Sequence, residues 1–362
     1  MKTSEYFSAD YAEARRKFRE AAQGAGARVE SRVNDAARGP AGEALATDVA
    51  WLGPKDAARV LVTISGTHGA EGFAGAGIQT GSFLTGFARE LPKDTALLAI
   101  HAINPYGFAW MRRVTEGNVD LNRNFVDHGR PLPKNDGYVA LADAICPAEW
   151  NASARAAAQA RLDAYQDRHG AAALQQAISG GQYTHPDGVF YGGSAPSWSR
   201  QTLLALAAAH LAHARHVAII DYHTGLGPWG HGERIVVHRE RSAALARARD
   251  WYGADITSTA LGTSTSADVV GDGLTGLERA LDHAAVTGMA LEYGVRPLAE
   301  TVDALRADNW LHSRGRPDSA EGRAIKSAMR DVFYGDADDW KEAVFAQGAD
   351  AQRRALRGLA AS

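Results

Sequence analysis

The sequence predicts a single α/β domain of three layers, with a mixed, mainly parallel sheet between helices, and two patterns carry that prediction. Short, nearly continuous apolar runs recur along the 362 residues, as expected of strands buried on both faces under covering helices. Alanine-rich stretches with helical spacing lie between those runs, and strands alternating with helices build α/β domains. A hydrophobic fraction of 45% in a chain of this length suffices for one large core.

In chain order, residues 9–25 are expected to form an amphipathic helix, because Tyr11, Ala14, Phe18 and Ala21 recur at spacings of three and four. Residues 59–65, 96–103, 216–222, 234–238 and 288–292 are the five apolar runs read as strands. Helices are expected at 75–89, 151–178, 199–213 and 242–252, with three more over 298–307, 320–333 and 340–359. The domain is expected to span 1–362, with a core at about 50–300 and helical additions at 1–30 and 300–362.

A net charge of −3 and an isoelectric point near 6.5 give no reason to expect nucleic acid or an anionic membrane as partner. The one cysteine, Cys146, excludes an intramolecular disulfide and fits a reducing compartment. No apolar segment at the start reads as a signal peptide, and no run approaches the roughly 18 residues of a membrane span. A cytoplasmic location is the expectation, with homo-oligomerisation left open.

The residues that could carry chemistry share one placement: each lies at or just after the end of an apolar strand. Thr67-His68-Gly69-Ala70-Glu71-Gly72 follows the first run, Asn104-Pro105-Tyr106-Gly107 the second, His223 ends the third and Glu292 the fifth. In open α/β sheets, ligands bind in the crevice beyond the carboxyl ends of the strands. His68 and Glu71 are three apart, so in one helical turn both can point to one spot. With His223 they make two imidazoles and a carboxylate, a set that holds catalytic zinc and leaves a position for water. One zinc ion per chain is therefore expected.

Residues 118–125, Asn-Val-Asp-Leu-Asn-Arg-Asn-Phe, resemble the Asp-x-Asn-Arg-Asn-Phe signature of zinc metallocarboxypeptidases. Residues 104–107 resemble that family's Asn-Pro-Asp-Gly, with Tyr106 in place of the aspartate. The order of motifs agrees over about residues 60–294. The resemblance implies the carboxypeptidase-like fold, shared with aspartoacylases and succinylglutamate desuccinylases, and hydrolysis of an amide in a small, carboxylate-bearing substrate or short peptide.

It also implies roles. Arg113 would stabilise the oxyanion, with Arg112 its competitor or a further substrate contact; Asn122 and Arg123 would grip the carboxylate. Asp120 would orient His68, and Glu292 would be the general base. Tyr191 and Tyr293 are candidate pocket residues, while Tyr252 sits in an expected helix and receives no role. His210, His213 and His216 read as helix-surface residues and His101 as a core or edge histidine. The glycine-rich stretch 225–232 reads equally as a pocket wall or a tight hairpin, and 263–276 as another wall.

The alternatives kept open are an aspartoacylase- or desuccinylase-type deacylase in place of a peptidase, and a non-catalytic zinc-binding module. The helical tail does not suggest the β-rich second domain of the aspartoacylase branch.

Overall fold

The computed structural model describes residues 1–238 and 240–362, apart from the side chain of Ala88. Strands β1 (Arg28–Arg38), β2 (Ala44–Leu52), β3 (Arg59–Ile64), β4 (Thr95–His101), β5 (His216–Trp229), β6 (Gly232–Val236), β7 (Thr257–Ser258) and β8 (Ala285–Gly294) form one sheet in the order β1-β2-β4-β3-β5-β8-β6-β7. Its centre, β4-β3-β5-β8, is parallel. β1, β2 and β6 run antiparallel to neighbours, so the sheet is mixed, as expected.

Alternate residues of the central strands feed two cores. Leu61, Leu97, Ala99, Ala218 and Ile220 face one side; Val60, Val62, Leu98, Ile100, Val217 and Ile219 face the other. Both faces being dry, neither parity needs polar residues, which explains the continuous apolar runs. Helices α1 (Tyr11–Gly24) and α2 (Gly72–Leu84) cover the first face with α8 (Ala243–Tyr252) and α12 (Asp338–Ala360). Helices α7 (Trp198–Leu211) and α9 (Gly273–Ala280) cover the second. The short α3 (Pro105–Ala109) follows β4.

A third cluster joins α4 (Asp136–Ile145), α5 (Ala152–His169) and α6 (Ala171–Ser179) to α10 (Leu298–Ser313) and α11 (Ala320–Phe333). It includes Ala70, from the turn after β3, and Phe190, so this helical cap packs over the carboxyl ends of the strands.

Three expectations need correction. Residues 151–178 are not one helix, because Gly170 at φ +88° divides α5 from α6. His216 opens β5 and does not lie on a helix surface. The stretch 225–232 is not a tight hairpin, although its first residues, Gly225 and Leu226, do form part of a cavity wall. β5 continues to Trp229 with its register against β8 shifted between Thr224 and Trp229, and only then does the chain turn into β6. His101 is a core histidine, stacked on Phe18 at 4.6 Å between centroids.

Candidate active site

The strand order places β3 between β4 and β5, so the chain leaves β3 toward one side of the sheet and later returns on the other. That reversal opens a crevice at the strands' carboxyl ends. Beyond β3, His68 and Glu71 sit on a tight turn whose backbone is tied to the next motif: Gly69 N donates to Arg113 O at 3.2 Å and Ala70 N to Arg112 O at 2.8 Å. A side chain at Gly69 would come within 1.9 Å of Gly107, and Gly107 is hemmed in by the Arg112 and Val114 carbonyls. Both glycines are therefore required by close backbone approach.

From β5 come Asp221 and His223, two residues apart and thus on one face. In register beside His223 on β8 is Glu292.

His68, Glu71 and His223 are buried, and one potential ligand atom from each lies within 4.8 Å of the other two. His223 Nδ1 is 2.9 Å from Glu71 Oε2. His68 Nδ1 is 3.0 Å from Glu71 Oε1 but has no properly directed hydrogen bond. The outer nitrogen of each ring meets a carboxylate: His68 Nε2 is 3.1 Å from Asp120 Oδ1 and His223 Nε2 is 2.9 Å from Asp221 Oδ2. Thr67 Oγ1 donates to the other Asp221 oxygen at 2.8 Å. Two imidazoles, each backed by a carboxylate, with a third carboxylate between them, make a donor set that fits zinc. The orphaned, buried Nδ1 of His68 fits the same reading.

Electrostatics follow from burial and these partners. Burial would raise the Glu71 carboxyl, but His68 and His223 hold it below the usual range. Burial would likewise raise Asp120, yet Arg113, Arg123 and His68 keep it well below its ordinary value. The His223 imidazole is opposed by burial but raised well above 6.5 by Asp221 and Glu71. Glu292 goes the other way. Burial and the neighbouring Glu71 push it to about 8, while Leu226 N donates to its Oε1 at 3.1 Å. The glycine-rich extension of β5 thus supplies a backbone donor to Glu292.

Arg113 Nε donates to Asp120 at 2.8 Å and its Nη1 to Glu71 at 3.0 Å. Arg123 is buried, with Nη1 on Asn122 O at 2.9 Å, Nη2 on Ser179 O, and Nε without a partner. The Asn122 side-chain oxygen accepts from Gly273 N at 2.9 Å, which leaves its amide nitrogen as the end available to a ligand. The two guanidinium groups lie 5.2 and 5.7 Å from the ring centroid of Phe190, itself held at φ +56°. A bulky residue in that conformation, between two cations, is a local strain of the kind found at functional sites.

A cavity of about 670 Å³ is lined by His68, Glu71, Arg113, Asn122, Arg123, His223 and Glu292 together with the cap. Part of 263–276 lines it too, as expected of that wall. Arg112 does not. Its side chain is buried against Asp308 at 3.1 Å and Asn118 at 3.1 Å, a structural ion pair in place of the substrate contact expected. Tyr191 is also absent from the lining, where the adjacent Phe190 takes its place. Tyr293 is buried under α12 with its hydroxyl on Val344 O at 3.1 Å, and Tyr252 is enclosed at the end of α8. Asp221 and Phe190 received no role from the sequence. For Asp221 the signal was there, a carboxylate two residues before a strand histidine.

This is a carboxypeptidase-like α/β fold with a candidate metal centre at the strand ends. The chain is similar in fold to bovine thrombin-activatable fibrinolysis inhibitor, solved in complex with tick carboxypeptidase inhibitor: TM-score 0.50, 10% identity, 98% of each chain covered. Carboxypeptidase A from Helicoverpa armigera matches at TM-score 0.48 and 11% identity, over 95% of this chain and 74% of that one. Succinylglutamate desuccinylase from Chromobacterium violaceum matches at 0.39 and 17%, over 88% and 73%. Among curated proteins, none matches. The chain belongs to the family described as "Protein of unknown function (DUF2817)", which it matches over residues 7–347.

Proposed function

We propose that this protein is a zinc-dependent hydrolase that cleaves an amide bond in a small substrate bearing a carboxylate. The observation that carries the reading is the convergence of His68, Glu71 and His223, with Glu292 and Arg113, on one cavity. His68, Glu71 and His223 would hold the ion. Zinc there would supply a Lewis acid that lowers the pKa of a water and polarises the amide carbonyl.

The chain's own groups do the rest. Glu292, in register beside His223 and facing the same cavity, accepts a proton from the attacking water and returns it to the leaving nitrogen. Arg113, fixed by Asp120 and Glu71, places positive charge where the oxyanion develops. Arg123 and the amide nitrogen of Asn122 receive the substrate carboxylate. Asp120 and Asp221 fix which nitrogen of each histidine faces the centre.

The test pairs a hydrolysis screen of N-acyl amino acids and dipeptides, with and without chelator, with the Glu292→Gln variant. Turnover is expected to be chelator-sensitive, and E292Q should keep the metal while losing at least about 100-fold in kcat. Near-normal activity of E292Q, or cleavage indifferent to chelator, would refute the mechanism.

A further inference from the structure

We propose that the substrate carries a single carboxylate and is otherwise bulky and apolar, as an amide with a medium-length acyl chain or apolar side chains would be. This rests on the hydrolase reading and narrows its substrate class. The cavity, at about 670 Å³, lies in the range that encloses drug-sized ligands. Its walls beyond the metal ligands carry a large apolar share, Leu162, Leu174 and Ile178 from the cap and Val302 and Leu305 from α10, beside polar groups such as Gln159, Gln166 and Thr301. Ile235, Val237 and Leu274 add an apolar patch contributed by β6, the residue after it, and α9.

Charge makes the narrower point. Among the described residues, the arginines and lysines lining the cavity are Arg113, Arg123 and Arg306. Arg113 is bound to Asp120 and Glu71, and Arg123, the anchor of the one carboxylate in the reading proposed above, keeps its Nε without a partner. Arg306 is spent: Nε donates to Ile145 O at 2.9 Å, Nη2 to Ala144 O at 2.8 Å, and Nη1 lies 3.6 Å from Asp303. Among the described residues no lining arginine or lysine is left for a second carboxylate, while Asp268, Asp272 and Asp303 also line the space. A dicarboxylic substrate such as a succinyl or aspartyl amide would bring an unpaired charge against hydrocarbon and like charges. Asp272 caps α9 through Thr275 N at 2.8 Å and Asp303 pairs with Arg155 at 2.7 Å, so each of these two carboxylates already has a partner.

The experiment measures kcat/KM of the zinc-loaded chain for N-octanoylglycine, N-acetylglycine, N-succinylglycine, Leu-Leu and Leu-Lys. It also measures calorimetric binding of the same compounds to Glu292→Gln, a readout independent of turnover. Each buried methylene gives roughly a fourfold gain in affinity, so octanoylglycine is expected to bind at least about 100-fold tighter than acetylglycine. The octanoyl and Leu-Leu arms separate an acyl chain from a peptide as the apolar source. Leu174→Asp and Val302→Asp, at partly exposed wall positions, should each cut the octanoyl-to-acetyl ratio at least about tenfold. If one fails to fold, the other carries the test. Equal binding of the two acyl compounds, or preference for the succinyl or lysyl arm, overturns the inference while leaving the hydrolase reading intact. Tight octanoylglycine binding with no chelator-sensitive turnover of any arm overturns the hydrolase reading and leaves the apolar site standing.

Discussion

Asp221 is where the candidate metal centre is most open to a quantitative test. Its carboxylate accepts from Thr67 Oγ1 at 2.8 Å and lies 2.9 Å from His223 Nε2, both buried. Asp221→Ala removes the acceptor that keeps the His223 proton on Nε2 and its lone pair on Nδ1. Loss of such a partner costs about 10- to 100-fold in metal affinity, or about 1.4–2.7 kcal/mol. Asp221 also raises the His223 imidazole well above 6.5, so a proton must leave before that ring can act as ligand. The sign follows. Wild-type affinity falls steeply as pH drops through the folded value, whereas the variant, with a less basic His223, loses less. The deficit of D221A is therefore largest at about pH 9 and shrinks toward about pH 6. Asp221→Asn keeps an acceptor without the charge and should fall between the two. Chelator competition for zinc at both pH values reads the affinities, and melting curves in chelator report whether the fold survives. Equal zinc affinity of D221A and wild type at about pH 9 would refute the assigned role.

Two further perturbations separate structure from chemistry. Asp308 is buried and holds both Arg112 and Lys326; Asp308→Ala leaves the buried Arg112 and the partly buried Lys326 uncompensated and should cost about 3–5 kcal/mol. At about 2.1 cal/mol/K per residue, the unfolding entropy of this chain is near 0.8 kcal/mol/K, which makes the drop in Tm about 4–6 °C. Arg112→Ala should cost less, because Lys326 still pairs with Asp308, and KM should not change; a raised KM would return Arg112 to the substrate site. His101 is fully buried and burial lowers it from 6.5 to about 4. A base depressed in the fold contributes stability that is fully present above the unfolded value of 6.5 and lost as pH falls through about 4, here about 3 kcal/mol. Urea titrations across that window should show a shallower acid decline for His101→Phe, and an unchanged slope would sink the assignment.

Which parts of the molecule could be read beforehand follows from what each part has to satisfy. The central strands were legible because alternate residues such as Val60 and Leu61 enter different cores, leaving no polar residue to break the run. β1 and β2 were not. β1 is an edge strand with mostly exposed, charged side chains, and β2 carries the buried Asp48, which is neutralised from outside the strand by Arg15 and Arg19. No window of local sequence shows such a pairing. His68 with Glu71 could be read from spacing, whereas Arg112 and Arg113 could not be separated by chemistry. Adjacent side chains diverge, and here one reaches the cavity while the other reaches Asp308.

The cap was the least legible part, and the reason bears on function. α5 is alanine-rich and buries only Ala158 and Leu162, so its sequence shows no strong apolar stripe to mark what it covers. Metal ligation and charge recognition fix distances between side chains, and fixed distances on a strand or turn become fixed spacings in sequence. Excluding water from the rest of a substrate sets no such distances; Leu162, Leu174 and Val302 need only be apolar and present. On the proposed reading the reaction is therefore written in motifs at the strand ends, and selection among substrates falls to cap and wall residues whose grouping only the fold reveals.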